Sequence, residues 1–163
     1  MATADTEFRG ELLRKMLLHD GITRRQIGEA FGVSQPAVTR HTQWLSDHDL
    51  IESRSLRLPN IKRPVEQLRI NGACGLGLAM QWNAQTVDAQ LIRADGSVLH
   101  SISRPCHEAT QVAMFTTTRQ VLDAVADHEA YRQMGLRVVG AAIDGYIEPS
   151  NGVVFHMHGI ADW

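Results

Sequence analysis

The sequence predicts an α+β chain in which three helices and a β-hairpin precede a second segment of strands and one long helix. Two observations lead to this prediction. Apolar residues recur at helical spacing as far as residue 49, and short β-branched runs separated by turn residues follow. The composition then changes at Asn71-Gly72. With 163 residues, the chain is expected to form two small domains, 1–70 and 71–163.

The first two helices are marked by apolar spacing and by residues that cap helices. Residues 6–19 predict a helix whose buried face holds Phe8, Leu12, Leu13, Met16 and Leu17. Asp20-Gly21 is expected to end it, and Thr23 to cap the next helix, RRQIGEAF. The expected buried face of that second helix is Ile27, Ala30 and Phe31.

A glycine turn and a third helix follow, and then a hairpin. Gly32 suits a positive φ, Ser34 is a candidate N-cap, and Pro36 is tolerated in a first helical turn. The third helix is expected to end around 47–49, with Val38 and Leu45 facing inward. Strands are expected at 50–53 and 65–70, joined by a basic loop. Three helices plus such a β-hairpin wing predict a winged helix-turn-helix.

The second segment predicts three strands, a helix and two further strands. The strands lie in GLGLAMQW, QTVDAQLIRADG and SVLHSISRP. A helix is expected over 109–131, with Val112, Phe115, Val121, Leu122 and Val125 roughly on one side. Residues 136–143 form an apolar run bounded by glycines, which predicts a buried strand, and 153–158 suggests another strand.

Composition and charge exclude some classes of protein and favour a polyanionic partner. No apolar stretch approaches the ~20 residues that span a bilayer, and the start lacks a secretory signal, so no membrane role is expected. The two cysteines favour a reducing cytoplasm. Residues 1–70 carry a net charge of +2 and the remainder −4. Residues 53–64 hold four basic residues and no acidic one.

The third helix offers side chains suited to reading DNA. The spacing from Gly32 places five residues on or beside its outer face: Gln35, Ala37, Thr39, Arg40 and Gln43. Arg and Gln make favourable pairs with guanine and adenine in the major groove. Phosphate contacts are expected from Thr23, Arg24, Arg25 and Ser34, and wing contacts from Arg54, Arg57, Lys62 and Arg63. The alternative is that this unit packs against a protein. His41 is either a histidine at the core edge or a phosphate contact.

The two segments together resemble the ROK family (repressor, open reading frame, kinase), in particular its xylose- and N-acetylglucosamine-type repressors. The matching stretches are TRRQIGEAFGVSQPAVTRHTQWLSDHDLIE, KRPVEQLRIN, GLGLAMQWNAQTVDAQLIRADGSVL and LRVVGAAIDGYIEPSNGVVFHMHGIADW. The resemblance implies that a partial actin-like, ribonuclease-H-like sugar-kinase lobe follows the winged helix-turn-helix. It covers only the front part of the family, so the lobe is expected to be truncated.

Several positions depart from the family pattern. Gln81 and Asn83 stand where the family's Asp-x-Gly phosphate turn is expected, which argues against ATP-dependent phosphoryl transfer. Asp144-Gly145 stands where the family has Pro-Gly, and these two residues are the candidates for sugar contact. The family's catalytic Asn-Asp pair and zinc cluster would lie beyond Trp163. No catalytic residue, metal or cofactor is therefore expected.

Three weaker signals carry little weight. GACGLG lacks the third glycine of a dinucleotide fingerprint. His156 and His158 alternate on one possible strand, but two histidines fall short of a zinc ligand set. Cys74 and Cys106 are expected to be small buried groups rather than nucleophiles.

The resulting expectation is a cytoplasmic, homodimeric regulator that binds a double-stranded DNA operator and represses sugar-metabolism genes. Because the family's effector lies between two lobes, this chain is expected to bind a sugar effector poorly or not at all. Two alternatives remain: a ROK-type sugar kinase or its inactive remnant, and a winged-helix protein-interaction module.

Overall fold

The two segments form separate compact units. The computed structural model describes residues 2–57, 64–160 and 162–163. Within these residues the chain is mixed α+β, with five α-helices, two β-hairpins and a four-stranded sheet. The first unit comprises Met1–Cys74 and Ala94–Gly96, and the second comprises Gly75–Arg93 and Ser97–Trp163. The α+β class is therefore confirmed.

The first unit begins with the three predicted helices: α1 (Ala2–Leu18), α2 (Arg24–Phe31) and α3 (Gln35–Asp47). The bounds of α2 match the prediction, and α1 begins earlier than predicted. After α1 the backbone takes positive φ at Asp20 (50°) and Gly21 (110°), which reverses the chain as the Asp-Gly pair predicts.

Two antiparallel strands follow, β1 (Ile51–Leu56) and β2 (Val65–Ile70), with Ile51 opposite Ile70. β2 has its predicted bounds, whereas β1 runs three residues past the predicted end at Ser53. Ile22 adds a bridge to β2, since its N–H donates to Leu68 O at 2.8 Å and its carbonyl accepts from Leu68 N at 2.9 Å. This bridge ties the segment between α1 and α2 to the hairpin.

The core of the first unit joins all of these elements. Its buried residues are Leu12, Met16, Ile22, Ile27, Val38, Leu45, Ile51 and Leu68. Two predicted core residues lie outside it: Ala30 is exposed, and Leu17 is 47% exposed. On α2 the predicted Ile27 is buried, and so is Gly28, because the Gln35 side chain of α3 lies against this glycine.

The second unit contains a four-stranded sheet in the order β5-β4-β3-β6. Its strands are β3 (Leu76–Trp82), β4 (Thr86–Arg93), β5 (Val98–Pro105) and β6 (Leu136–Ile143). β6 runs parallel to β3, and the other neighbours are antiparallel. A separate antiparallel pair consists of β7 (Gly145–Glu148) and β8 (Val153–Met157).

The predicted single helix over 109–131 is wrong in its bounds, and its predicted buried face is right only at Val121 and Val125. It is two helices, α4 (Gln111–Asp127) and α5 (Glu129–Met134). His128 between them has extended backbone, and its Nδ1 accepts from Ala130 N at 3.2 Å, which caps α5. The buried face of α4 is Met114, Thr117, Val121 and Val125; Val112, Phe115 and Leu122 are exposed.

The strand predicted at 136–143 is confirmed, but its predicted burial is wrong. β6 exists with these bounds, but residues 137–142 are exposed, including Val138 (64%) and Val139 (59%). β6 ends the strand order of its sheet, while α4 packs on β4 and β5 and α5 packs on β3. An uninterrupted apolar run is typical of a strand covered on both faces, and these helices cover other strands. No described helix combines the length and the apolar character needed to cross a membrane.

Candidate nucleic-acid interface

The start of α2 is fixed by a reciprocal cap. Thr23 Oγ1 accepts a hydrogen bond from Gln26 N at 3.2 Å, and Gln26 Oε1 accepts from Thr23 N at 2.9 Å. This capping box satisfies two backbone donors that a helix N-terminus otherwise leaves unpaired. The predicted cap is confirmed, and Thr23 therefore has a structural role whether or not it also meets a phosphate.

The turn between α2 and α3 depends on two glycines. Gly32 ends α2 in the left-handed region at φ 63°, and its N–H donates to Gly28 O. Val33 N donates to the same carbonyl at 3.2 Å. A Cβ on Gly28 would lie 2.7 Å from Gln35 Nε2, so the first residue of α3 rests directly on α2. The turn thus sets α3 at a fixed position against α2.

α3 has one buried stripe and one exposed face. Its buried residues are Val38, His41, Thr42 and Leu45, at positions i, i+3, i+4 and i+7, so they share one side of the helix. The predicted base-reading residues lie outside this stripe, with Gln35 at its edge, where its side chain lies against Gly28 of α2. Gln35, Thr39, Arg40 and Gln43 are exposed, and Ala37 is half-buried. The helix therefore presents these polar side chains outward.

Most of the polar groups on that face already make local contacts. Thr39 Oγ1 donates to Gln35 O at 3.0 Å, and Gln43 Nε2 donates to Asp47 Oδ1 at 2.7 Å. The Arg40 side chain is 66% exposed, with one guanidinium nitrogen 3.9 Å from Asp5 Oδ1. Contacts this exposed contribute little free energy, so the side chains can exchange them for a ligand.

Arg24, a predicted phosphate contact, already forms a hydrogen bond and an ion pair within the protein. Its Nε donates to Thr42 Oγ1 at 3.3 Å, and its Nη1 forms an ion pair with Glu66 of β2. A hydrogen bond from Ser53 and the charge of Arg24 lower the pKa of Glu66. Neither Thr42 nor Glu66 was predicted as a partner of Arg24; the available signal was an acidic residue just after the basic segment 53–64.

The other predicted phosphate contacts are exposed. Ser34 occupies the N-cap position of α3, but its side chain makes no cap hydrogen bond. Arg25 pairs with Glu29 one turn along α2 at 2.8 Å, and both side chains are largely in solvent. Pro36 lies in the first turn of α3 and supplies no N–H, which leaves that terminus fewer backbone donors for an anion.

The basic wing is described in part. Arg54 on β1 and Arg57 just after it are exposed, and neither forms an ion pair with another described residue. Arg69 of β2, by contrast, pairs with Glu52 of β1, with Nη2 2.6 Å from Oε1. The predicted contacts Lys62 and Arg63 lie outside the described residues. The described part of the wing therefore contributes two exposed cations, Arg54 and Arg57, that form no ion pair with another described residue.

His41 lies inside the first unit. It is 5% exposed and packs on Phe8, with ring centroids 4.6 Å apart. Its Nδ1 has no hydrogen-bond partner among the described residues. Burial, followed by the charge of Arg40, lowers the pKa of His41. These contacts favour the core-edge interpretation over a phosphate contact.

In the second unit, the candidate sugar residues contact β8 and the residue that follows it. Asp144 Oδ1 lies 3.0 Å from His158 Nδ1, and its carbonyl accepts from His158 N at 2.8 Å. A Cβ on Gly145 would collide with His156 O, so the hairpin itself requires a glycine there. Both residues thus have a structural explanation that needs no sugar.

The side chain of Asn83 forms hydrogen bonds across the turn between β3 and β4. Asn83 Oδ1 accepts from the N–H groups of Gln85 and Thr86, both at 2.9 Å, and Asn83 Nδ2 donates to Thr86 Oγ1 at 2.9 Å. Gln81 is exposed. A phosphate-binding turn needs open backbone N–H groups, and in this turn two of them are already used.

Possible metal ligands and cysteine side chains were the remaining candidates for a functional site. Among the described residues, no group of three or more His, Cys, Asp or Glu side chains could hold a metal ion. The two cysteines, Cys74 and Cys106, are half-buried.

Comparison with solved structures shows a likeness in fold to a transcriptional regulator. The chain resembles a crystal structure of a ROK family transcriptional regulator, a homologue of the E. coli Mlc protein, with a TM-score of 0.56 and 20% sequence identity. The match covers 85% of this chain and 35% of that one, so the chain spans about a third of its length. No family model and no curated protein matches the sequence. At this identity the likeness establishes the fold.

Proposed function

We propose that this chain is a sequence-specific, DNA-binding transcriptional regulator whose first unit is a winged helix-turn-helix. The outward face of α3 carries the proposal: Gln35, Thr39, Arg40 and Gln43 are exposed because the opposite stripe is buried in the helical core. The fold likeness to a ROK family transcriptional regulator agrees with this assignment.

The dimensions of α3 suit a major groove. Residues 35–43 rise about 12 Å along the helix at ~1.5 Å per residue, which corresponds to three or four base pairs at ~3.4 Å each. Arg40 and Gln35 carry the forked side chains that pair with guanine and adenine. Arg54 and Arg57 would contact phosphates on one flank, and Ser34 and Arg25 on the other.

The finer proposal is a cytoplasmic repressor of sugar-metabolism genes that binds its operator as a homodimer. Two recognition helices separated by one DNA turn would require a dimer. Sugar sensing is proposed to be weak or absent in this chain, since Asp144 and Gly145 are engaged with the β7-β8 hairpin.

A sugar kinase is the less favoured alternative. The turn expected to receive phosphate has Asn83 as an intramolecular hydrogen-bond partner, and Gln81 cannot act as a metal-organising carboxylate. We therefore propose no enzymatic role. A coupled assay for ADP release over a sugar panel, with turnover above background, would reverse this.

The test is selection of DNA from a random duplex pool by the full chain, followed by quantitative binding. Enrichment of a shared motif, with affinity that falls steeply as salt rises, is the expected result. Failure to enrich any motif at low salt would contradict the proposal. A stable complex with a protein, unaffected by added duplex, would support the protein-interaction module instead.

A further inference from the structure

The second unit contains an apolar cavity that the proposed DNA-binding function does not use. Its volume is about 320 Å³, and it lies where the end of β3, the start of α4 and β8 meet. Three aromatic side chains form much of its wall: Trp82, Phe115 and Trp163. None of its nine lining residues carries a charged side chain. Phe115 is 57% exposed, which places it at the opening.

The polar groups of the wall are mostly consumed within the protein. Trp82 Nε1 donates to Thr118 Oγ1 at 2.9 Å, and that hydroxyl donates to Met114 O at 2.8 Å. Trp163 Nε1 donates to Val154 O at 3.0 Å. The side-chain amide of Gln111 is the one polar lining group without a hydrogen-bond partner among the described residues.

We propose that this cavity binds a small, neutral aromatic molecule carrying one hydrogen-bonding group. An apolar cavity of about 150 Å³ accommodates a benzene ring, so roughly twice that volume accommodates a fused two-ring molecule. Aromatic rings favour offset or edge-to-face packing against other rings, which Trp82, Phe115 and Trp163 provide. Gln111 pairs with the single polar group of the ligand.

The same wall disfavours a carbohydrate and an ion. A sugar carries several hydroxyls, and with one partner available most would be buried without hydrogen bonds. A carboxylate or ammonium group would meet no oppositely charged side chain among the lining residues. The inference is thus distinct from the sugar site suggested by Asp144 and Gly145, and it does not depend on DNA binding.

The test uses the three tryptophans as reporters in the full chain. Unlabelled indole is titrated into ¹⁵N-labelled protein while the three indole N–H signals are followed, with D-glucose as the comparison. Trp82 and Trp163 line the cavity, whereas Trp44 packs against the core of the first unit. We expect the signals of Trp82 and Trp163 to shift saturably, with a Kd of about 1 mM or tighter. The Trp44 signal should stay in place.

Two neighbouring substitutions on β8 provide matched variants. Val154 lines the cavity, and Val153 is 47% exposed and does not line it. Val154→Phe fills the cavity and should weaken indole binding at least tenfold, while Val153→Phe should leave it unchanged. If Val154→Phe does not fold, Phe115→Ala removes one ring at the opening and should weaken binding at least threefold.

The inference is overturned by any of three results: no saturable shift with indole, equal binding by Val154→Phe and wild type, or a shift with glucose in place of indole. Loss of DNA binding would leave this titration unaffected, so the two proposals fail separately.

Discussion

Arg24 of α2 and Glu66 of β2 form an ion pair that joins the helical part of the first unit to its hairpin. Thr42 of α3 also accepts a hydrogen bond from Arg24, so the guanidinium group of this one residue links α2 to both α3 and β2. The pair positions the hairpin beside α3. It also places a negative charge next to a cation that the sequence assigns to a DNA phosphate.

Glu66→Gln should therefore strengthen DNA binding, because it removes a carboxylate that competes with phosphate for Arg24. Since an exposed ion pair contributes ~0.2–1 kcal/mol, we expect up to about a fivefold gain in affinity at low salt. Fluorescence anisotropy on a selected duplex measures it. Glu108→Gln, an exposed acid of the second unit with the same charge change, is the control. A weaker complex with Glu66→Gln would contradict the competition.

Two glycine-to-alanine changes in the first unit should alter stability in opposite directions. Gly32 has φ 63°, so a Cβ there adds ~1–2 kcal/mol of backbone strain. Gly10 lies within α1 with nothing near its Cβ position, so alanine should stabilise by ~0.5–1 kcal/mol. Urea unfolding of both variants measures these changes. Equal effects would mean that the left-handed turn is not retained in solution.

The burial of His41 should make folding sensitive to mild acid. Its folded-state pKa is lowered, so the unfolded chain binds the proton more tightly. The contribution of neutral His41 to the free energy of unfolding is fully present above the ordinary pKa of ~6.5. It is lost as the pH falls from there through the folded-state pKa. Denaturant unfolding at pH 7.5 and about pH 5.5 should show this loss in wild type and less of it in His41→Leu. The same loss in both proteins would place the titration elsewhere.

Gly145→Ala should destabilise the β7-β8 hairpin even without any sugar. The added Cβ would meet the backbone oxygen of His156, which cannot move without breaking strand pairing. A cost of about 1–3 kcal/mol in urea unfolding is expected. Gly140→Ala, on β6 with open space around it, is the matched change and should be close to neutral. A neutral Gly145→Ala would remove the structural explanation for this glycine.

The helices of the first unit could be predicted from the sequence because short-range features mark where they begin and end. The Thr23 cap, the Gly32 turn and the apolar spacing of Val38 and Leu45 each act within a few residues, so the helix bounds follow from them. The ion pair from Arg24 to Glu66 joins residues 42 positions apart, and no local pattern encodes it. The same holds for the bridge between Ile22 and Leu68.

In the second unit the sequence pattern predicted the strand β6 but not which residues are buried. The apolar run of β6 correctly predicted a strand, but burial depends on which elements cover it, and the helices pack on other strands. The predicted helix over 109–131 breaks because His128 caps α5, a role that short polar residues more commonly take. Phe115 was assigned to the buried face and instead lies at the opening of a cavity.

The central claim is that the outward face of α3 reads DNA, and paired affinities on one selected duplex test it most directly. Gln35→Ala with Arg40→Ala removes two candidate base contacts, each worth ~1–3 kcal/mol, so affinity should fall at least about 30-fold. Gln120→Ala with Arg119→Ala makes the same two chemical changes on exposed positions of α4 and should retain wild-type affinity. Binding within twofold of wild type by the α3 variant, or an equal loss in both variants, would contradict the account.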